Sequence, residues 1–216
     1  MLPDTTGSWT PVALSADLPA GTVMPARTPA GPIALWRSRS GQAAAAADRC
    51  PHRGMRLSHG FVRGETLSCI YHGWSYDRTG ACLRIPAHPD LTPPAAIRVD
   101  THAVEDCDGI LWVAAGQAAA RPPHLDRLPL RSLTAHAGIA ALEAAAGSTA
   151  GPDGLMWRAP ASHPLRLLLV AQEEERTLIH VLVAGDSSRS ERIAASRAVE
   201  SLRRSAEALQ RGEIAS

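Results

Sequence analysis

Two short stretches, CPHRG (Cys50–Gly54) and CIYHGW (Cys69–Trp74), each pair one cysteine with one histidine. Cys50 and His52 are spaced C-x-H, and Cys69 and His72 are spaced C-x-x-H. Sixteen residues separate His52 from Cys69. A glycine, Gly54 or Gly73, follows each histidine closely. Two thiols and two imidazoles offered from two tight loops form a ligand set, and its context decides what it holds.

The chain has 216 residues, 45% of them hydrophobic, enough for one large domain or two small ones. Its net charge of +1 gives no electrostatic pull toward nucleic acid or an anionic membrane, so neither is an expected partner. No apolar run approaches the roughly 18 residues needed to span a bilayer. The opening MLPDTTGSWTPVALS lacks a basic region followed by an apolar one, so a cytoplasmic protein without a signal peptide is expected. In a cytosolic chain the four cysteines, Cys50, Cys69, Cys82 and Cys107, argue for metal binding over a disulfide framework.

The first half reads as β. WTPVAL, GPIALWRS, QAAAAA, ETLSCIYHGWSYD, AIRVDTHAVE and GILWVAAG are short runs of apolar or β-branched residues, punctuated by turn-like DLPAG, RTPAGP, RSGQ and DRTGA. This rhythm predicts an antiparallel sandwich or barrel over 1–116. A Pro-rich linker is expected over 117–131. From 132 to 216 a small α+β region is expected: a helix in TAHAGIAALEAAAG capped by Thr134 and stopped by Gly147, a hairpin of Leu165–Ala171 with Thr177–Ala184, and a final helix over Ser190–Arg211. Ala195, Val199, Leu202, Ala206 and Leu209 form that helix's apolar stripe, and Glu200–Arg204 and Glu207–Arg211 are its expected surface pairs. The fold class is therefore α+β.

Two centres suit the ligand set. Zinc accepts a Cys2His2 set. A [2Fe–2S] cluster accepts two cysteines on one iron and two histidines on the other. Glycines beside the histidines favour the cluster, because bridging sulfides need backbone N–H groups to approach closely.

The stretch DRCPHRGMRLSHGFVRGETLSCIYHGWSYDRTGACLRIPA resembles the Rieske domain of the Rieske non-haem iron oxygenases, the ring-hydroxylating and vanillate-demethylase-like enzymes. The flanking WTPVALSADLPAG and EDCDGILWVAAG extend the resemblance to roughly Trp9–Gly116. The resemblance implies a [2Fe–2S] cluster held by Cys50 and Cys69 on the inner iron and His52 and His72 on the outer one, the histidine edge serving as the electron port. Arg49, Arg53, Arg56 and Arg63 lie near these loops in sequence and would favour the reduced state. Respiratory Rieske proteins carry an extra cysteine in each loop, where this chain has Met55 and Tyr71. The resemblance thus implies a potential low in the Rieske range of about −150 to +300 mV. Cys82 and Cys107 read as plain thiols packed in or near the sheet.

The resemblance stops short of a catalytic domain. An oxygenase of this type binds mononuclear Fe(II) through two histidines and a carboxylate. After Gly116 the histidines are His124, His136, His163 and His180, no two closer than twelve residues, so no motif supports such an iron and no catalytic residue is assigned. The C-terminal region resembles a shortened helix-grip fold. The expected function is an electron-transfer protein, loaded by a reductase or ferredoxin and serving a catalytic oxygenase subunit in trans, in a homo- or hetero-oligomer. One alternative is a compact oxygenase with an atypical iron site from His124, Asp126, His136 or His163. The other is a non-catalytic structural or redox-sensing subunit.

Overall fold

The computed structural model describes residues 9–114, 116, 118, 120–158, 165–173 and 175–213. The chain divides into two compact units, Met1–Pro123 and His124–Ser216. Among the described residues, no helix is long and apolar enough to cross a membrane.

The first unit is built on a six-stranded antiparallel sheet. Its strands are β1 (Trp9–Leu14), β2 (Thr22–Thr28), β3 (Gly31–Arg37), β4 (Ala43–Ala47), β9 (Thr101–Cys107) and β10 (Ile110–Ala114), in the order β1-β10-β9-β4-β3-β2. The β9–β10 hairpin turns through Asp108 and Gly109, both at positive φ (52° and 75°). Asp-Gly suits that two-residue turn because its twist matches the flanking strands. The edge strands β1 and β2 carry Pro11 and Pro25, where the missing N–H breaks no central ladder.

Strand β4 consists of alanines alone, a residue that favours helix elsewhere. Here it lies between β3 and β9, with both faces covered. Ala45 joins one apolar cluster with Ile33, Leu35, Leu111 and Val113. Ala44 and Ala46 join another with Ala34, Trp36, Leu57, Leu67 and Tyr76. That second cluster seats a four-stranded sheet of short strands, β5 (Phe61–Arg63), β6 (Thr66–Ser68), β7 (Ser75–Tyr76) and β8 (Cys82–Arg84), paired in sequence order. This insertion between β4 and β9 carries both Cys/His loops.

The run ETLSCIYHGWSYD is therefore two strands interrupted by a loop. β2, β5, β8 and the second unit's short β12 were not apparent from residue pattern.

The second unit is a four-stranded antiparallel sheet with two helices. Its strands are β11 (Leu128–Ala135), β12 (Leu155–Arg158), β13 (Leu165–Gln172) and β14 (Arg176–Val183), in the order β11-β14-β13-β12. The helices are α1 (Ile139–Ala146) and α2 (Arg189–Gln210). Val199, Leu202 and Ala206 of α2 pack with Leu142 of α1 and with Leu165, Leu167, Ile179 and Val181 of the sheet. Ser188 and Glu191 close a capping box on α2, and Gly147 takes the left-handed C-cap of α1.

Three local expectations change. Strand β11 occupies the end of the segment expected to be linker and runs through Thr134, because pairing with β14 satisfies that backbone; α1 starts later, capped by Gly138. Glu207 does not pair with Arg211. It is buried, takes a bond from Arg203 Nη1 at 2.6 Å and accepts the His136 backbone N–H at 2.9 Å. Glu200 binds Arg204 as expected and Arg203 in addition.

Gly60 tests the packing of the insertion. Its φ is ordinary, but a Cβ there would sit 2.2 Å from the Ser68 carbonyl oxygen. Gly64 is the converse, with φ +58° and open space around it. Gly60→Ala is expected to destabilise the protein by about 3 kcal/mol through overpacking. Gly64→Ala should cost about 1 kcal/mol, the backbone penalty alone. Urea unfolding of the two variants measures the difference.

Candidate metal and electron-transfer site

The two ligand loops are near copies of one backbone turn. In the first, the Cys50 N–H donates to Met55 O (2.8 Å) and the Gly54 N–H donates to Cys50 O (2.8 Å). In the second, the Cys69 N–H donates to Trp74 O (2.9 Å) and the Gly73 N–H donates to Cys69 O (2.9 Å). Gly54 and Gly73 sit at φ 72° and 70°, a region that L side chains adopt only with strain. The shared turn explains the glycines, which the spacing alone did not.

Asp48 fixes the entry to the first loop. Its buried carboxylate accepts the Ser58 backbone N–H and the Ser58 hydroxyl, both at 2.7 Å. Strand β4 thereby delivers Cys50 at a set position, as β6 delivers Cys69.

The four expected ligands come together with a gradient of depth. Cys50 and Cys69 are each 2% exposed, inside the cluster of Leu57, Leu67 and Tyr76. His52 is half-buried and His72 is exposed. Their rings meet edge-on with centroids 4.6 Å apart, and His52 stacks flat on Trp74 at 4.4 Å. Sulfur thus faces in and nitrogen faces out.

This arrangement distinguishes the two candidate centres. No three of these side chains bring donor atoms within 4.8 Å of one another. Four ligands on one zinc ion at bonds of about 2.0–2.3 Å would lie closer than that. A donor set split between two irons needs the wider spread. Burial pushes the Cys69 thiol up, opposed by the N–H groups of Tyr71 and His72 that donate to its sulfur. A bound cation relieves such a penalty on a buried thiolate. Desolvation first, then His72 and Arg53, hold His52 below the ordinary imidazole value, so its ring stays in the neutral form that ligates metal.

Tyr76 is a site residue that sequence reasoning missed. Its hydroxyl lies 3.1 Å from Cys50 Sγ in the buried core. Burial, and then Cys50 itself, raise its phenol far above the usual value, so it remains a neutral donor. Only the second tyrosine in YHGWSYD could have signalled this; the contact joins residues 26 apart. Cys82 is buried in the same core and Cys107 is half-buried on β9, consistent with packed thiols.

His124, His136 and His180 do not converge with one another. His124 and Asp126 are exposed on the segment before β11. His136 is exposed in the turn before α1, not on the helix. His180 is fully buried on β14, a central strand; its Nδ1 lies 2.7 Å from the Ser132 hydroxyl. His163 lies outside the described residues. Among the described residues of the second unit, no three histidine, cysteine or carboxylate groups converge.

A β unit with two such loops, sulfur inward and imidazole outward, defines a class, and residues 8–100 match the family model for the Rieske [2Fe-2S] domain. The first unit is a Rieske domain, its cofactor is a [2Fe–2S] cluster, and its homologues include Rieske non-haem iron oxygenases. Oxidoreductase NdmD of Pseudomonas putida is 44% identical over 115 residues, covering 53% of this chain and 20% of that protein. A 4beta-methylsterol monooxygenase of Methylococcus capsulatus is 43% identical over 91 residues, covering 40% of this chain and 24% of that protein. The chain thus spans a quarter or less of either relative. Dicamba monooxygenase bound to dicamba shares the fold, with a TM-score of 0.74 and 17% identity over 96% of this chain and 88% of that one.

A hydrogen bond to a ligating sulfur stabilises the more negative, reduced state. Tyr76→Phe removes it without changing the ring's packing. The midpoint potential should fall by about 40 mV, the one-electron equivalent of about 1 kcal/mol. A redox titration followed by EPR checks this, and the iron content should stay at the wild-type value.

Proposed function

We propose that this chain is an electron carrier, with Cys50 and Cys69 holding one iron of the cluster and His52 and His72 the other. It takes single electrons from a reductase or ferredoxin and passes them to the non-haem iron of an oxygenase subunit in trans. The observation that carries this reading is the contrast between a complete, pre-shaped ligand set in the first unit and described histidines that stand apart in the second. The bound cluster supplies one-electron chemistry, moving between formal charges of 0 and −1 with its two thiolates.

The chain's own residues do the rest. Leu57, Leu67 and Tyr76 pack around the sulfur side and keep water from it. Tyr76 donates to Cys50. Trp74 stacks on His52 and fixes the plane of the ring. The exposed His72 edge, beside Tyr71 at a ring distance of 4.0 Å, is the exit for the electron.

One observation favours a second reading, a compact oxygenase with its own iron. The likeness to dicamba monooxygenase extends over nearly the whole chain, so the second unit also has a counterpart there, in keeping with a reduced helix-grip fold. Metal analysis separates the readings. Anaerobically purified protein should contain two irons and two acid-labile sulfides per chain. A third iron, with substrate turnover supported by reductase alone, overturns the carrier reading. Alanine variants of His124, His136 and His163 should leave the iron content at two.

A further inference from the structure

The surface around the two histidines has a composition that the electron port alone does not require. Six large apolar side chains are notably exposed among the described residues, and four of them, Ile70, Tyr71, Leu83 and Leu91, belong to the loop-bearing stretch. Ile70 and Tyr71 directly precede His72 in the second ligand loop and are 57% and 54% exposed.

Two grooves flank this apolar ground. One, of about 350 Å³, runs past Gly73 and is lined by Phe61, Leu83 and Pro86, with Arg63 and Arg84. The other, of about 370 Å³, runs past Cys50, His52 and Gly54, with Arg49, Arg53 and Arg98. Each ligand loop is therefore bordered by its own arginine group.

These five guanidinium groups stand without a carboxylate partner among the described residues. Arg63 lies over the Phe61 ring at 4.7 Å, and Arg98 donates to the Thr79 carbonyl at 2.9 Å. Asp100 is the sole acidic residue lining either groove. Elsewhere on the unit Arg37 meets Asp106, so pairing is available where the fold uses it. An apolar and aromatic centre ringed by arginines matches the make-up of protein interfaces, where aromatic residues and arginine are enriched. Uncompensated positive charge at the rim selects a negative partner and speeds its arrival.

We infer that this end docks an acidic electron-donor protein, whose carboxylates meet Arg49, Arg53, Arg63, Arg84 and Arg98 while its apolar centre covers Ile70, Tyr71 and Leu83. The inference rests on the electron-carrier reading and names the kind of partner that serves it. Docking there brings the donor's redox centre against the imidazole edge, so one electron passes from the reduced donor to the oxidised cluster and no bond is made or broken.

The test uses the cluster-loaded full chain with two probes, a strongly acidic [2Fe–2S] ferredoxin and a basic cytochrome. Binding of the oxidised acidic ferredoxin, where no electron moves, is measured by surface plasmon resonance at rising ionic strength. Affinity should fall at least tenfold between about 20 mM and 200 mM salt. An Arg63→Glu/Arg84→Glu variant should bind at least tenfold more weakly at low salt, and Arg197→Glu on α2 should match wild type. Affinity for the acidic ferredoxin that is indifferent to salt in the wild-type protein overturns the inference, as does tighter binding of the basic cytochrome. So does equal or tighter binding to phosphatidylglycerol vesicles. Loss of the carrier reading appears separately, as a third iron or a cluster that no protein donor reduces, whatever the salt dependence.

Discussion

The ligand-bearing end depends on a pair of backbone turns, each closed by a cysteine amide reaching forward and a glycine amide reaching back. Such a turn must cross into the left-handed region at its fourth following residue, and glycine does so without strain. Once the turns close, the cysteines point into the apolar cluster and the histidines are carried outward. The gradient from sulfur to nitrogen is thus a product of main-chain geometry. The side chains around it, Asp48 below the first loop and Trp74 against His52, hold a direction the backbone has already chosen.

The depth of the cysteines follows from what surrounds them. Alanine-only β4 supplies a thin surface on which the four short strands can rest, so the thiols are buried without a large core. Tyr76 then meets a need that burial creates: a sulfur removed from water still wants a partner, and the phenol provides one inside the apolar cluster. Burial keeps that phenol protonated, and so able to donate.

Much of this was legible from residues alone. The two Cys/His pairs that meet at one end, the β character of the first half, the C-terminal hairpin and the long final helix all follow from spacing, periodicity and turn chemistry. What escaped has physical causes. β2 contains a proline and is bounded by turn residues, so only its edge position makes it a strand. β5 and β8 are three residues long and owe their form to neighbours, which no local window records. Thr134 looked like a helix cap until pairing with β14 claimed it for a strand. His180 alternates with apolar residues as an edge residue would, yet the strand order places it in the centre. The Tyr76 contact joins distant segments and needed the fold itself.

The prolines at Pro11, Pro25 and Pro129 stand in strands that border their sheets, and Pro11 and Pro129 adjoin bulges. A sheet border with regular amides is a template onto which another chain can zip, the first step toward fibrils. A proline offers no amide at its position, and a bulge bends the border away from a straight incoming strand. The remaining borders, β5, β8 and β12, span three or four residues, too short to seed such growth. Among the described residues, each sheet border is in this way kept from zipping onto a straight strand of another chain.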